Sequence, residues 1–196
     1  MRFIGTILLI LFIQSCDSAK SKTPNSSLGQ IDSPDKVVQD FYHWYLDNYY
    51  NPEYRIITPG EKIKDGQLYL DTTTYMSIIR SSGFFSQKYI VGQIGLFKSC
   101  DEELRKIKLK DYEECGCSPA DMVKNCDFML YYNWLYHQGE DTQDIIIKEK
   151  KVLTDNATVD IELLSRKGDN KGYQKLRVTL DKDNGEWRIS DIANAP

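Results

Sequence analysis

The spacing of apolar residues changes three times along this chain. Residues 3–13, FIGTILLILFI, form a nearly unbroken apolar run behind Met1-Arg2. About eleven residues fall short of the ~20 needed to cross a bilayer. A short apolar core behind one positive charge is the pattern of an export signal. Residues 17–30 then lose any apolar period and are rich in Ser, Lys, Pro and Asn. That composition predicts a flexible tether. Helical spacing begins at Ser33-Pro34-Asp35, where a serine N-cap, a proline at the first helical position and an acid in the first turn coincide. In DKVVQDFYHWYLDNYYN, the residues Val37, Val38, Phe41, Tyr42, Trp44, Tyr45, Leu46 and Tyr49 cover more than half of the helix circumference at ~100° per residue. Lys36, Asp40, His43 and Asp47 share the remaining stripe. A helix apolar over so much of its surface is wrapped by other elements.

Residues 54–70 lack a sustained period and are predicted as loop, with Pro59-Gly60 marking a turn. Asp71 or Thr72 then caps a short helix through Tyr75, Ile78 and Ile79, which Gly83 interrupts. A second helix follows, with Phe85, Tyr89, Ile90, Ile94, Phe97 and Leu104 at helical spacing. Gly92 and Gly95 weaken it by about 1 kcal/mol each. Residues 128–136, FMLYYNWLY, are strongly apolar and compatible with either strand or helix. From Asp144 the spacing becomes alternation: DIIIKEKKVL, ATVDIELLS, KLRVTLD and EWRISDI, separated by the turns TDN, RKGDNKG and DKDNG. Val159, Ile161 and Leu163 share one face, as do Leu176, Val178 and Leu180, and Trp187 and Ile189. This is a four-stranded antiparallel meander. Helices first and a meander last predict an α+β fold, with N-terminal helices packed on one face of a four-stranded antiparallel sheet.

Charge narrows the partners. The 196 residues carry a formal charge of -4, and removal of Arg2 with the leader makes the chain more acidic. Sequence-independent nucleic-acid binding needs a basic surface, so no nucleic acid is expected as partner. The thirteen tyrosines suit a half-wet core before they suit an interface.

Five cysteines are present. Cys100, Cys115, Cys117 and Cys126 lie in a Cys-rich segment, 98–127. In an exported chain four thiols imply two disulfides. A bridge between Cys115 and Cys117 closes so tight a loop that it ranks last. Cys100 is therefore expected to pair with one member of that couple and Cys126 with the other. A zinc site is the rival, but CxC lacks the usual spacer between ligands. No metal or cofactor is expected.

The remaining cysteine, Cys16, ends the run Ile13-Gln14-Ser15-Cys16. This resembles the lipobox of bacterial lipoproteins. The resemblance implies cleavage before Cys16, a diacylglycerol on its thiol and an acyl chain on its new amine. Each buried methylene adds ~0.8 kcal/mol, and two or three chains anchor durably where one does not. The division is then 1–15 signal peptide, 16–32 tether and 33–196 a single α+β domain, held on a membrane in the cell envelope.

FYHWYLDNYY and the closing KLRVTLDKDNGEWRISDI resemble the domain-of-unknown-function 3828 family of the nuclear-transport-factor-2-like superfamily. The resemblance implies a cone: a curved sheet wrapped around the long first helix, with Phe41, Trp44 and Tyr45 as possible pocket-lining residues. It carries over no catalytic residue. The Asp40–His43–Asp47 column reads as a solvated face, with Lys36 and Asp40 as an i,i+4 pair. His137 falls in LYHQGED, a Gly/Glu/Asp turn. Asn156-Ala157-Thr158 reads as a hairpin turn and Asp71-Thr72-Thr73 as a helix cap. No phosphate loop, GxSxG elbow or HExxH pair is present in the sequence. The expected function is a non-enzymatic envelope binding domain, with a protein or glycan partner. The alternative is an isomerase- or dehydratase-like enzyme using the pocket of the cone.

Overall fold

A computed structural model describes residues 32–49, 59–130, 134–136, 142–165 and 172–196. Helix α1, Pro34–Tyr49, starts where its signals lie: the Val37 N–H donates to the Ser33 carbonyl at 3.1 Å. Val38, Phe41, Tyr42 and Tyr45 are buried, and Lys36, His43 and Asp47 are exposed. The helix lies against three of the four strands of the main sheet.

The stretch expected as loop contains a hairpin, β1 (Gly60–Lys64) and β2 (Gln67–Asp71). Its turn is Asp65-Gly66, both at positive φ (53° and 75°), which is the type I′ geometry that Asp-Gly favours. Leu68 and Leu70 point inward. Every residue of β1 is exposed, so GEKIK has no apolar face for alternation to reveal. The Leu70 N–H donates to Asp101 Oδ1 at 2.9 Å and ties the hairpin to the later helix.

Helix α2, Thr73–Ser82, ends at Gly83 as expected. The Thr73 N–H donates to Asp71 Oδ1 at 3.1 Å, so Asp71 rather than Thr72 supplies the side-chain cap. Phe84 and Ser86 then bond to Ile189 at 2.8 and 2.9 Å, covering one edge of the main sheet, where open backbone groups would otherwise invite pairing. Helix α3, Gln87–Leu104, is capped by Ser86, whose hydroxyl accepts the Tyr89 N–H at 3.2 Å. Two short helices follow, α4 (Leu109–Cys115) and α5 (Pro119–Met122), and then a 3-10 segment, Lys124–Leu130. The ambiguous apolar stretch is thus neither strand nor α-helix where it is described: it begins in the 3-10 segment, and residues 134–136 form a turn.

The meander is as expected. Strands β3 (Thr142–Val152), β4 (Asn156–Ser165), β5 (Gly172–Asp183) and β6 (Glu186–Asn194) form an antiparallel sheet in that order. Asn156 opens β4 and Ala157 is buried, so that tripeptide is strand, with the turn just before it. Ala157, Val159, Ile161 and Leu163 join Leu176, Val178, Leu180, Ile189 and Ile192 in a core that also takes in α1, α2 and α3. The opposite face carries charge pairs, including Arg177 with Asp160 and Lys148 with Glu162. Each of the three strand ladders contains a register shift.

The cysteine pairing reverses the expectation. Cys100 is bridged to Cys126, and Cys115 to Cys117. Cys100 lies on the buried face of α3 and Cys126 in the 3-10 segment packed on that helix. Their Cα atoms are 5.1 Å apart, inside the bridging range. Once these two meet, Cys115 and Cys117 have only each other. Gly116 sits at φ 62°, a left-handed turn that suits glycine and brings their Cα atoms to 5.1 Å. Loop size ranked the pairs; helix packing chose them.

Candidate binding cleft

Helix α3 sets Tyr89, Gln93 and Leu96 along one face, four and then three residues apart, the spacing that stacks side chains in a helix. Phe128, Tyr136, Asp191 and Ile192 close the other sides of a cleft of about 110 Å³. Strand β6 reaches it because of a bulge. Thr179 faces Asp191 but Leu180 faces Ile189, leaving Ser190 as an extra residue. Trp187 and Ile189 point inward, and after the bulge Ile192 does so too. A bulge re-aims side chains in this way. The three-residue gap from Ile189 to Ile192 in WRISDI was the signal for it.

Hydrogen bonds hold the walls. The Trp134 indole N–H donates to the Tyr89 hydroxyl at 2.8 Å. The Tyr136 hydroxyl donates to the Ile192 carbonyl at 2.5 Å. Gln174 Nε2 donates to the Tyr136 carbonyl at 3.3 Å and to Asn194 Oδ1 at 2.9 Å. Tyr136 has φ 53°. A non-glycine residue there costs about 1–3 kcal/mol and persists only where its surroundings over-determine it; these bonds do so.

The electrostatics are simple. Burial pushes the Tyr89 hydroxyl up to about 12. Burial, and after it the charge of Asp191, raises Tyr136. Both phenols are therefore neutral at ordinary pH. Asp191 is exposed at the mouth, and no ion-pair partner is seen for it among the described residues. Arg177, two residues along β5 from Asp191's register partner Thr179, is taken up by both oxygens of Asp160 at 2.7 Å. The cleft is thus lined by three aromatic residues, two of them neutral phenols, with one amide and one carboxylate.

The residues singled out from sequence lie elsewhere. Phe41, Trp44 and Tyr45, expected to line a pocket, do not line this cleft. Phe41 and Tyr45 fill the interior instead, and half-buried Trp44 packs against it. The Phe41 ring is 5.5 Å from Phe84, 5.3 Å from Phe85 and 5.4 Å from Trp134, centroid to centroid. Tyr45 meets Trp134 edge-on at 4.9 Å, and Trp44 lies 5.5 Å from Phe84. Aromatic rings packed edge-to-face and tilted at such spacings are in contact and leave no room for a substrate between them. Lys36 bonds Asp40, and His43 Nε2 lies 3.3 Å from Asp144 Oδ1 on β3, both half exposed. The polar stripe is a solvated face with one strand contact. Cys16 and His137 lie outside the described residues.

Among the described residues, no group of three or more His, Cys, Asp or Glu is gathered as a metal site, and no helix is long and apolar enough to cross a membrane. Comparison with protein-family models, curated proteins and solved structures finds no match.

Proposed function

We propose that this chain is a lipid-anchored bacterial envelope protein whose folded part is a non-enzymatic binding domain. The observation that carries the binding reading is volume. The interior against α1 is filled by Phe41, Tyr45 and Trp134, and the cleft beside α3 measures about 110 Å³. Sites for whole metabolites run to roughly 300–1,000 Å³. A cleft this small accommodates one protruding group of a larger partner. The isomerase- or dehydratase-like alternative needs a buried acid or base beside a tyrosine, whereas Asp191, the acid beside Tyr136, is at the solvent-exposed mouth.

The anchor rests on the leader and the Ile13-Gln14-Ser15-Cys16 run. A cone of the nuclear-transport-factor-2-like kind belongs to the same proposal. It is supported by α1 lying on the sheet and by the register shifts in every ladder, since bulges bend strands and curve sheets. Expression in a bacterial host with an alkyne-tagged palmitate tests the anchor. Label on the wild type, lost in Cys16→Ser with retention of the uncleaved leader, is the expected result. An unlabelled wild-type chain overturns it. Cross-linking in intact envelopes tests the binding role, with a recurrent partner expected; its repeated absence overturns that role.

A further inference from the structure

We propose that the cleft between α3 and β6 binds a lysine-type alkylammonium side chain of a partner peptide; this names the ligand for the binding domain proposed above and rests on that reading. Three features select the charge. The carboxylate of Asp191 stands at the mouth with no ion-pair partner among the described residues. The other polar groups, the Tyr89 and Tyr136 hydroxyls and Gln93, are neutral. The lining includes Tyr89, Phe128 and Tyr136, aromatic residues whose rings carry no positive charge to oppose a cation. An anion would meet like charge, and a neutral group would leave the carboxylate unused.

Volume selects the shape. An engineered cavity of about 150 Å³ takes benzene. By that yardstick about 110 Å³ holds four or five heavy atoms, which is a butylammonium and not a sugar ring or a nucleobase. An arginine side chain has more heavy atoms than that volume holds. The apolar contacts of Leu96, Phe128 and Ile192 suit the methylene stem, while the head stays near the carboxylate and water, as lysine side chains do when they lie on apolar surface. The overall charge of -4 favours the approach of a basic partner.

The Trp134 indole N–H, bonded to Tyr89, reports on the cleft from inside. The full chain in a non-ionic detergent, labelled with nitrogen-15, is titrated with butylammonium chloride, n-butanol and sodium butyrate. A saturable shift of the Trp134 indole peak by butylammonium, at least tenfold weaker for butanol and absent for butyrate, is expected. Asp191→Asn is expected to weaken it at least tenfold with an unchanged melting temperature. The peptide Gly-Gly-Lys-Gly-Gly should compete, and its norleucine counterpart should not. Equal response to butanol and butylammonium, or undiminished binding by Asp191→Asn, overturns the proposal. So does a response to ethanolamine-phospholipid vesicles without one to the lysine peptide. A recurrent cross-linked partner in intact envelopes together with a silent titration would overturn the lysine ligand and leave the binding role standing, so the two failures are seen separately.

Discussion

Phe41 decides whether the space beside α1 is core or pocket. Its side chain is fully buried and meets the rings of Tyr42, Phe84, Phe85 and Trp134 at 4.9–5.5 Å. Phe41→Ala removes a whole ring from a packed site, a change that costs ~3–5 kcal/mol through lost burial and the cavity left behind. Phe41→Leu keeps most of the apolar volume and loses the ring geometry, worth about 0.5–1.5 kcal/mol per aromatic pair; a net loss of about 1–2 kcal/mol is expected. With a urea m-value of roughly 2–3 kcal/mol/M for a domain of this size, the alanine variant should unfold at a midpoint lower by about 1–2 M. The leucine variant should shift by less than half of that. The assay is urea unfolding followed by far-ultraviolet circular dichroism, disulfides intact, with the m-values compared. A loss below about 1.5 kcal/mol for Phe41→Ala at unchanged m would refute the packed interior. The ring would then face water, and Phe41, Trp44 and Tyr45 would return as pocket-lining residues.

Two further predictions concern cross-links and charge. The Cys100–Cys126 bridge spans 26 residues, so a Cys100→Ser/Cys126→Ser double variant should lose ~3.5 kcal/mol by chain entropy; Cys115→Ser/Cys117→Ser should lose far less, and peptide mapping without reduction should recover Cys100 linked to Cys126. The hydrogen-bonded Arg177 guanidinium holds Asp160 below its ordinary 3.8. Between the folded and unfolded pKa values the unfolded chain binds more protons, so this stability is present above about pH 4 and is lost as pH falls through the lowered folded pKa. Asp160→Asn should flatten that part of an acid-unfolding curve, and an unchanged slope would show that the pair contributes nothing.

Much of the architecture is written in local patterns. The serine–proline–acid start of α1 and its wide apolar face are read from residues within one or two turns of each other. The alternation in ATVDIELLS and KLRVTLD predicts strands for the same reason: neighbours two apart share a face. The β1–β2 hairpin escaped because GEKIK buries nothing, and only Asp65-Gly66 announced it. The cleft was less legible still. Tyr89 was recognised only as one of α3's apolar positions, and Asp191 only as part of the last strand. Phe128 and Tyr136 stood in a stretch whose period did not choose between strand and helix.

What the sequence by itself determined were the first three helices, the four strands of the meander and their order, and the acidic character, since each depends on composition or on spacing within a few residues. The tertiary structure decided the rest. It joined Cys100 to Cys126, turned Phe41 and Tyr45 from lining into filling, and brought Tyr89, Tyr136 and Asp191 to one cleft. These are contacts between residues 26 to 102 positions apart. No local pattern encodes such contacts, because they arise only when the helices dock on the sheet and the bulge at Ser190 resets the phase of β6.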